Sequence, residues 1–360
     1  MLEFSNSIRR AIGGFFPLQN SFLLLFALAF AAISSIALKS IGVDADYSFK
    51  SYFALMGLLI PTFFLVLAVL WFFHMLIWIK PERPLNYAKA SLAFIFSKEM
   101  LFRGVPVFIY LFLVMSAYSG LKVHIEDFSE YSWDSTLADI DKALFFGRDP
   151  WTIVHNAFPG VVWAKIFNVF YHLWFFVMFG LWFWVAGMPS NDQSRVAYLF
   201  AYAFCWAVGG ILIAVTFASV GPCYHERLLG DPRFSKLMET LQGYDLMAVA
   251  VQDQLWDIFV TQSNGVGARL SAFPSMHCAS ATLFTLFGFS RNRPLGWALA
   301  IFATFIYIGS VYLGWHYAVD GIAGIVVGIA SWLFGLFIAD RMTTRSRSRQ
   351  IDTGTAGVTG

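Results

Sequence analysis

A chain of 360 residues with 58% hydrophobic and only 13% charged side chains cannot coat a soluble domain of that size with polar surface. Its 24 basic and 22 acidic residues nearly cancel; no nucleotide-binding glycine loop, internal repeat or nucleic-acid partner is expected. The composition is that of a multi-span integral membrane protein.

Crossing ~30 Å of hydrocarbon takes ~20 apolar helical residues. Eight runs meet that need, over residues 19–38, 53–79, 104–120, 163–187, 196–219, 273–290, 295–314 and 319–339. The third is marginal in length, and the break between the last two falls at Gly314 and His316, without a real linker. Nothing before Phe15 has the form of a cleavable signal, so the first span is expected to stay as an anchor. The segment "KPERPLNYAKASLAFIFSKEMLFR" fits an inner-surface amphipathic helix. Residues 121–162, acidic and aromatic, fit the opposite interface, either as a lid or as ordinary interfacial packing. The tail after Arg341, rich in Ser, Thr, Arg and Gly, is expected to be disordered.

Placing the N-terminus in the cytoplasm and alternating sides puts 14 of the 24 basic residues inside and 16 of the 22 acids outside. Lysine and arginine favour the cytoplasmic side, so this orientation is the expected one. Eight spans then leave both termini inside, and three polar stretches meet on the outer face. These are "FPSMH" at the start of the sixth span, "LGWHYAVD" between the seventh and eighth, and the loop "GPCYHERLLGDPRFSKL".

His316 and Asp320 lie four apart and would stack on one helical face if the eighth span began there. A carboxylate so placed accepts the imidazole N–H, fixes the tautomer and leaves the other nitrogen more basic. The plain alternatives are a chance helix-end pair and, for Pro274 and Ser275, a simple helix start with Ser as N-cap. Ionisable residues near membrane depth are costly, which favours function for two histidines meeting on one face.

"FPSMH" followed 39 positions later by "HYAVD" resembles the second and third signature motifs of the type 2 phosphatidic acid phosphatase superfamily. Within it the likeness is greatest to the inositol phosphorylceramide synthase-like branch. The resemblance covers roughly residues 271–325, with weaker support from 216–236. It implies an all-α integral membrane protein with a six-helix catalytic core, and phosphoester cleavage or exchange through a phosphohistidine without metal or other cofactor. By motif, His316 would be the nucleophile, Asp320 its orienting partner and His277 the acid that protonates the leaving oxygen. The chain then divides into 1–102, two N-terminal spans and the inner amphipathic segment; 103–340, the catalytic core; and 341–360, the basic cytoplasmic tail.

Two family features are absent. No Lys with Arg-Pro after six residues occurs in the outer loop, and the Ser-Arg that usually opens the third motif is replaced by Gly309 and Ser310. Phosphoryl transfer needs cations on the equatorial oxygens, so Arg227, Arg233, Lys236 and Arg269 are the candidate phosphate ligands, Arg227 and Arg269 first among them. Each could equally be a solvated loop charge. Ser275 is either a further phosphate ligand or a cap.

Cys205 reads as packing, whereas Cys223 and Cys278 share the outer side and could pair there. A zinc site from His225, His277, His316 and Asp320 lacks the spacing of known zinc motifs. His74, His124, His155 and His172 read as structural. The expected activity is transfer of a phospho-headgroup from a phosphorylated lipid to a lipid or alcohol acceptor. The alternatives are a lipid or polyprenyl phosphate phosphatase and, from another class, a transporter or scaffold using His316 and Asp320 as an ion relay.

Overall fold

A computed structural model describes residues 18–43, 45–261 and 270–355, and every regular element among them is helical. The longer ones, in chain order, are α1 (Leu18–Ser40), α2 (Ala45–His74), α3 (Pro84–Ile95), α4 (Lys98–Lys122), α5 (Asp134–Leu144), α6 (Pro150–Ala157), α7 (Val161–Gly187) and α8 (Gln193–Phe204). There follow α9 (Pro222–Leu229), α10 (Ser235–Gln242), α11 (Met247–Val260), α12 (Met276–Arg291), α13 (Arg293–Tyr312) and α14 (Ala318–Thr355). Two helices run on as π-helix, α2 through Met75–Ile79 and α8 through Cys205–Ile213.

Seven helices among the described residues are long and apolar enough to cross a membrane. The exception is α12, which has 16 residues where the sequence suggested a full span. It starts only at Met276, because Ser275 caps it by accepting the N–H of Cys278, and it ends where Asn292 turns the chain directly into α13. Lipid supplies no hydrogen bonds to a bare backbone, so apolar runs of this length resolve into helices. Tertiary contacts then choose the faces. In α1 the buried positions Leu23, Ala27, Phe30, Ser34 and Leu38 recur at helical spacing. They pack on α4, with the Ser34 hydroxyl donating to the Ala117 carbonyl at 3.0 Å. The opposite end of α1 is fixed by Arg195, fully buried, whose guanidinium donates to Asn20 Oδ1 and to the carbonyls of Val185, Ser190 and Arg103.

The centre of the bundle is α12 packed on α13 and α14, with α8 also against α14. Glycines permit these contacts. A side-chain carbon on Gly209 would lie 2.8 Å from Val327, and one on Gly288 2.9 Å from Leu299. Small residues at such crossings let helix backbones approach, and dispersion replaces the missing hydrophobic drive. The second span is peripheral: only 11% of its most apolar window is buried, and Phe63 anchors it by stacking on Phe183.

Three segments outside the spans take the following forms. The last helix runs on to Thr355, into the segment expected as a basic tail. Residues 121–162 form α5 and α6, and none of their side chains past Lys122 lines the cavity that holds the histidines. They are therefore no lid over it; α5 instead packs its buried edge, Asp134, Leu137, Ala138 and Asp141, on the chain around the start of α14. The inner segment does form a helix, α3, with no buried residue.

Candidate active site

His316 lies just before α14, which begins at Ala318. The His–Asp pair is therefore made by a turn and not by one helical face. After Tyr312 the chain reverses at Gly314, where φ is +73°, a conformation that glycine adopts without strain. The N–H groups of Trp315 and His316 then both donate to the Ser310 carbonyl, at 3.0 and 3.2 Å. This reversal has a geometric consequence. α13 is 20 residues and α12 is 16, a difference of about 6 Å at ~1.5 Å per residue; folding His316 back to the level of Ser310 brings it down to His277.

The two imidazoles stand with ring centroids 6.4 Å apart. His316 is 7% exposed and Asp320 fully buried. Nδ1 of His316 lies 3.4 Å from Oδ2 of Asp320, an ion-pair contact slightly too long for a formed hydrogen bond, and Nδ1 and Oδ1 have no other hydrogen-bond partner. Catalytic hydrogen bonds are often long in unliganded sites and tighten in the complex. Asp320 is itself held: Oδ2 accepts the N–H of Tyr317 at 3.0 Å, and its carbonyl accepts the N–H of Ser275 at 2.9 Å. The second bond ties the two motifs together through the backbone. His277, in the first turn of α12, stacks on Tyr171 with centroids 4.4 Å apart, packs at the same distance against Trp174, and holds Nδ1 3.2 Å from the Tyr171 hydroxyl. Trp174 is fixed in turn by donating to Ser280 Oγ at 2.9 Å.

Both histidines line one cavity of about 430 Å³, walled mainly by Met115, Trp174, Phe175, Met178, Phe179 and Trp206. Gly210 belongs to this wall, and a side-chain carbon there would meet Tyr118 at 2.7 Å. Two further basic side chains face the same space; sequence reasoning assigned Lys122 no role and His172 a structural one. Lys122, in the last turn of α4, has no hydrogen-bond or ion-pair partner among the described residues. His172 donates its Nδ1–H to the Asn168 carbonyl at 2.7 Å and so presents Nε2 as the remaining nitrogen. The one sequence signal for Lys122 was a cation closing an otherwise apolar span.

Profile comparison now bears on this arrangement: the PAP2 superfamily matches residues 135–334, more than half of the chain. The chain belongs to the PAP2 superfamily. Among curated proteins, undecaprenyl-diphosphatase BcrC of Bacillus subtilis (strain 168) is 36% identical over 59 residues, which is 16% of this chain and 31% of the relative. The chain thus spans under a third of that relative's length. No solved structure matches.

In this PAP2-superfamily chain the described loop cations expected to hold phosphate lie outside that cavity, and two of them are paired with carboxylates. Arg227 pairs with Asp253 at 2.6 Å and lies over Trp256. Arg233 is held by Asp139, Asp149 and the Ala138 carbonyl, joining the loop after α9 to α5 and α6. Lys236 is exposed, and none of the three lines the cavity. Arg269 lies outside the described residues. Ser275 is fully buried with its hydroxyl capping α12, and it does not line the cavity either. Cys205, Cys223 and Cys278 are all free thiols, so Cys223 and Cys278 do not pair. No group of three or more His, Cys, Asp or Glu side chains gathers as a metal site among the described residues.

Buried acids outside the spans complete the surroundings. Asp141 Oδ2 and Oδ1 accept the N–H groups of Ala318 and Val319, at 2.6 and 2.8 Å, capping α14 directly behind the His316 turn. Burial pushes its carboxyl up to about 7, and Asp320 and Asp149 nearby push the same way against the pull of those two N–H groups.

Proposed function

We propose that this membrane protein cleaves the phosphoester or phosphoanhydride of a phosphorylated membrane lipid through a phosphohistidine on His316. The observation that carries the reading is the 6.4 Å approach of His277 and His316 in one cavity, with Asp320 behind the second ring. Asp320 orients His316 through Nδ1, leaving Nε2 to attack phosphorus in line. As the bond from phosphorus to the leaving oxygen breaks, His277 gives that oxygen a proton. A second hydroxyl, from water or an alcohol, then attacks the phosphohistidine while His277 takes its proton, restoring both rings. Different neighbours let two histidines hold different protonation states, which acid and nucleophile require.

Lys122 takes the part first given to the loop cations. An ammonium facing a largely apolar cavity with no counter-charge among the described residues is unfavourable, and a phosphate between it and His316 relieves that cost while neutralising the transition-state charge. The apolar walls suit the first carbons of a lipid chain. With α12 counted as a short eighth crossing, the orientation that basic residues favour opens the site to the outer or lumenal side and leaves both termini cytoplasmic.

The BcrC likeness favours hydrolysis of a polyprenyl diphosphate or similar lipid phosphate. Transfer to a lipid acceptor is the second reading. It rests on the synthase-like form of the two motifs and on the aromatic enclosure of His277, which disfavours water. The test is purified protein in detergent, with and without EDTA, given farnesyl diphosphate, phosphatidic acid, and phosphatidylinositol with ceramide. Free phosphate identifies a phosphatase and a new phospholipid identifies a transferase. Full turnover by His316→Ala, or proton-coupled flux in vesicles with every phosphate ester intact, would overturn the proposal.

A further inference from the structure

Directly after His316 stands Tyr317, 1% exposed, at the centre of a hydrogen-bond chain that the reaction itself does not use. Its hydroxyl donates to Asp134 Oδ1 at 2.9 Å. With that proton committed, the phenol oxygen accepts from Nδ1 of His225, 2.8 Å away, and Nε2 of His225 lies 3.2 Å from Asp231 Oδ2. His225 is fully buried and Asp134 1% exposed. The Asp134 carboxylate also accepts the N–H of Val220, at 3.0 and 3.1 Å to its two oxygens, and of Gly221 at 2.9 Å. The same loop grips the turn from the other side: Cys223 N–H donates to the Gly314 carbonyl at 2.9 Å, and Gly221, at φ +90°, sits so close that a side-chain carbon would lie 2.6 Å from the Trp315 carbonyl.

The 314–317 turn makes few restraining contacts of its own on the side facing the cavity, since the His316–Asp320 contact is long and Nδ1 is otherwise unpartnered. Its rear face, by contrast, is held through the Tyr317 hydroxyl and the Gly314 carbonyl. We infer that Tyr317, His225 and Asp134 form a buried strut that sets the position of His316, with Tyr317 and His225 acting as positioning residues. Removing one member leaves buried polar groups unsatisfied, and the turn relaxes toward water or a new partner. A displacement of about 1 Å of a reacting group can cost on the order of 100-fold in rate.

The inference rests on the phosphohistidine reading, so its experiment separates the two. Full-length protein in detergent is given farnesyl diphosphate labelled with radiophosphorus at the terminal phosphate. Acid-labile, alkali-stable label on the protein is followed together with steady-state kcat and KM. Tyr317→Phe and His225→Gln are expected to slow labelling and kcat by about 10- to 100-fold with KM within about twofold, and the double variant to be no slower than the worse single one. His225→Ala should fall further than His225→Gln, because the amide keeps a donor for the phenol oxygen. Loss of label in His316→Ala with undiminished labelling in Tyr317→Phe and His225→Gln overturns the strut alone; label surviving in His316→Ala overturns the reading beneath it. If Tyr317→Phe does not fold, His225→Gln carries the same test. Additive losses with KM rising in step also count against the strut, since they describe general loosening.

Discussion

A side-chain carbon on Gly328 would stand 2.6 Å from the carbonyl oxygen of Ala279, so α14 and α12 touch backbone to backbone. The neighbouring turn of α14 is equally tight, with Gly324 directly beneath the Ser275 carbonyl. Because Ser275 adjoins the His277 turn, this contact helps to set the spacing of the two histidines. Gly328→Ala is expected to cost about 1–3 kcal/mol of stability and to lower kcat, as thermal unfolding in detergent and steady-state rates will show. Unchanged unfolding would mean that the helices can part without penalty.

His277 as proton donor makes a prediction about leaving groups. With a lipid phosphate, whose alkoxide leaves poorly, His277→Ala should lower kcat on the order of 10²- to 10⁴-fold. With p-nitrophenyl phosphate, whose phenolate departs without a proton, the loss should shrink sharply. Equal losses on both substrates would assign His277 to binding instead.

The cations separate in the same assay. Lys122→Met is expected to reduce kcat/KM by about 10²-fold or more, the scale of one preorganised donor to a developing oxyanion, and Lys122→Arg to restore part of it. Arg227→Ala, whose partner is Asp253 away from the cavity, should leave kcat/KM within about twofold. A reversal of these two results would return the phosphate site to the loop.

Asp141 couples stability to pH. Its folded-state carboxyl is raised, by burial first, from 3.8 to about 7. The folded protein therefore holds a proton that the unfolded chain gives up as pH climbs past 3.8, and the stability this proton provides is lost between there and about pH 7. Asp141→Asn should flatten that part of the profile, measured as unfolding temperature against pH in detergent. Asp141→Ala, which removes the cap on Ala318 and Val319, should cost about 0.5–2 kcal/mol. A profile unaltered by Asp141→Asn would place the proton elsewhere.

Much of the fold was legible because lipid leaves an apolar run few choices, and each long run became a helix, although α2 starts earlier and α14 ends later than hydropathy suggested. The length of α12 was not, since Ser275 and Asn292 set its ends and neither interrupts the hydropathy. The site was legible as two motifs but not as a shape. A spacing of four between His316 and Asp320 suggested a helical face, whereas Gly314 makes a turn there whose form depends on Ser310. Lys122 carried no pattern, being one charge at the end of a span. The ties from Asp134 and Asp141 to Tyr317, Ala318 and Val319 join positions far apart in the chain, and such pairings leave no local trace. Conversely, Arg227 and Arg233 looked available because their carboxylate partners lie on distant segments.

Asn292 alone separates α12 from α13; its N–H bonds back to Gly288 and its side chain caps Leu295. The pair therefore acts like calipers hinged at one residue, with His277 on one arm and the His316 turn at the tip of the other. Each residue of an α-helix advances roughly 100° around its axis, so removing one amino acid from either arm would swing an imidazole out of the chamber while leaving every helix intact. Along both arms the lipid-facing side chains can change as long as they stay apolar, but the number of residues between hinge and tip cannot.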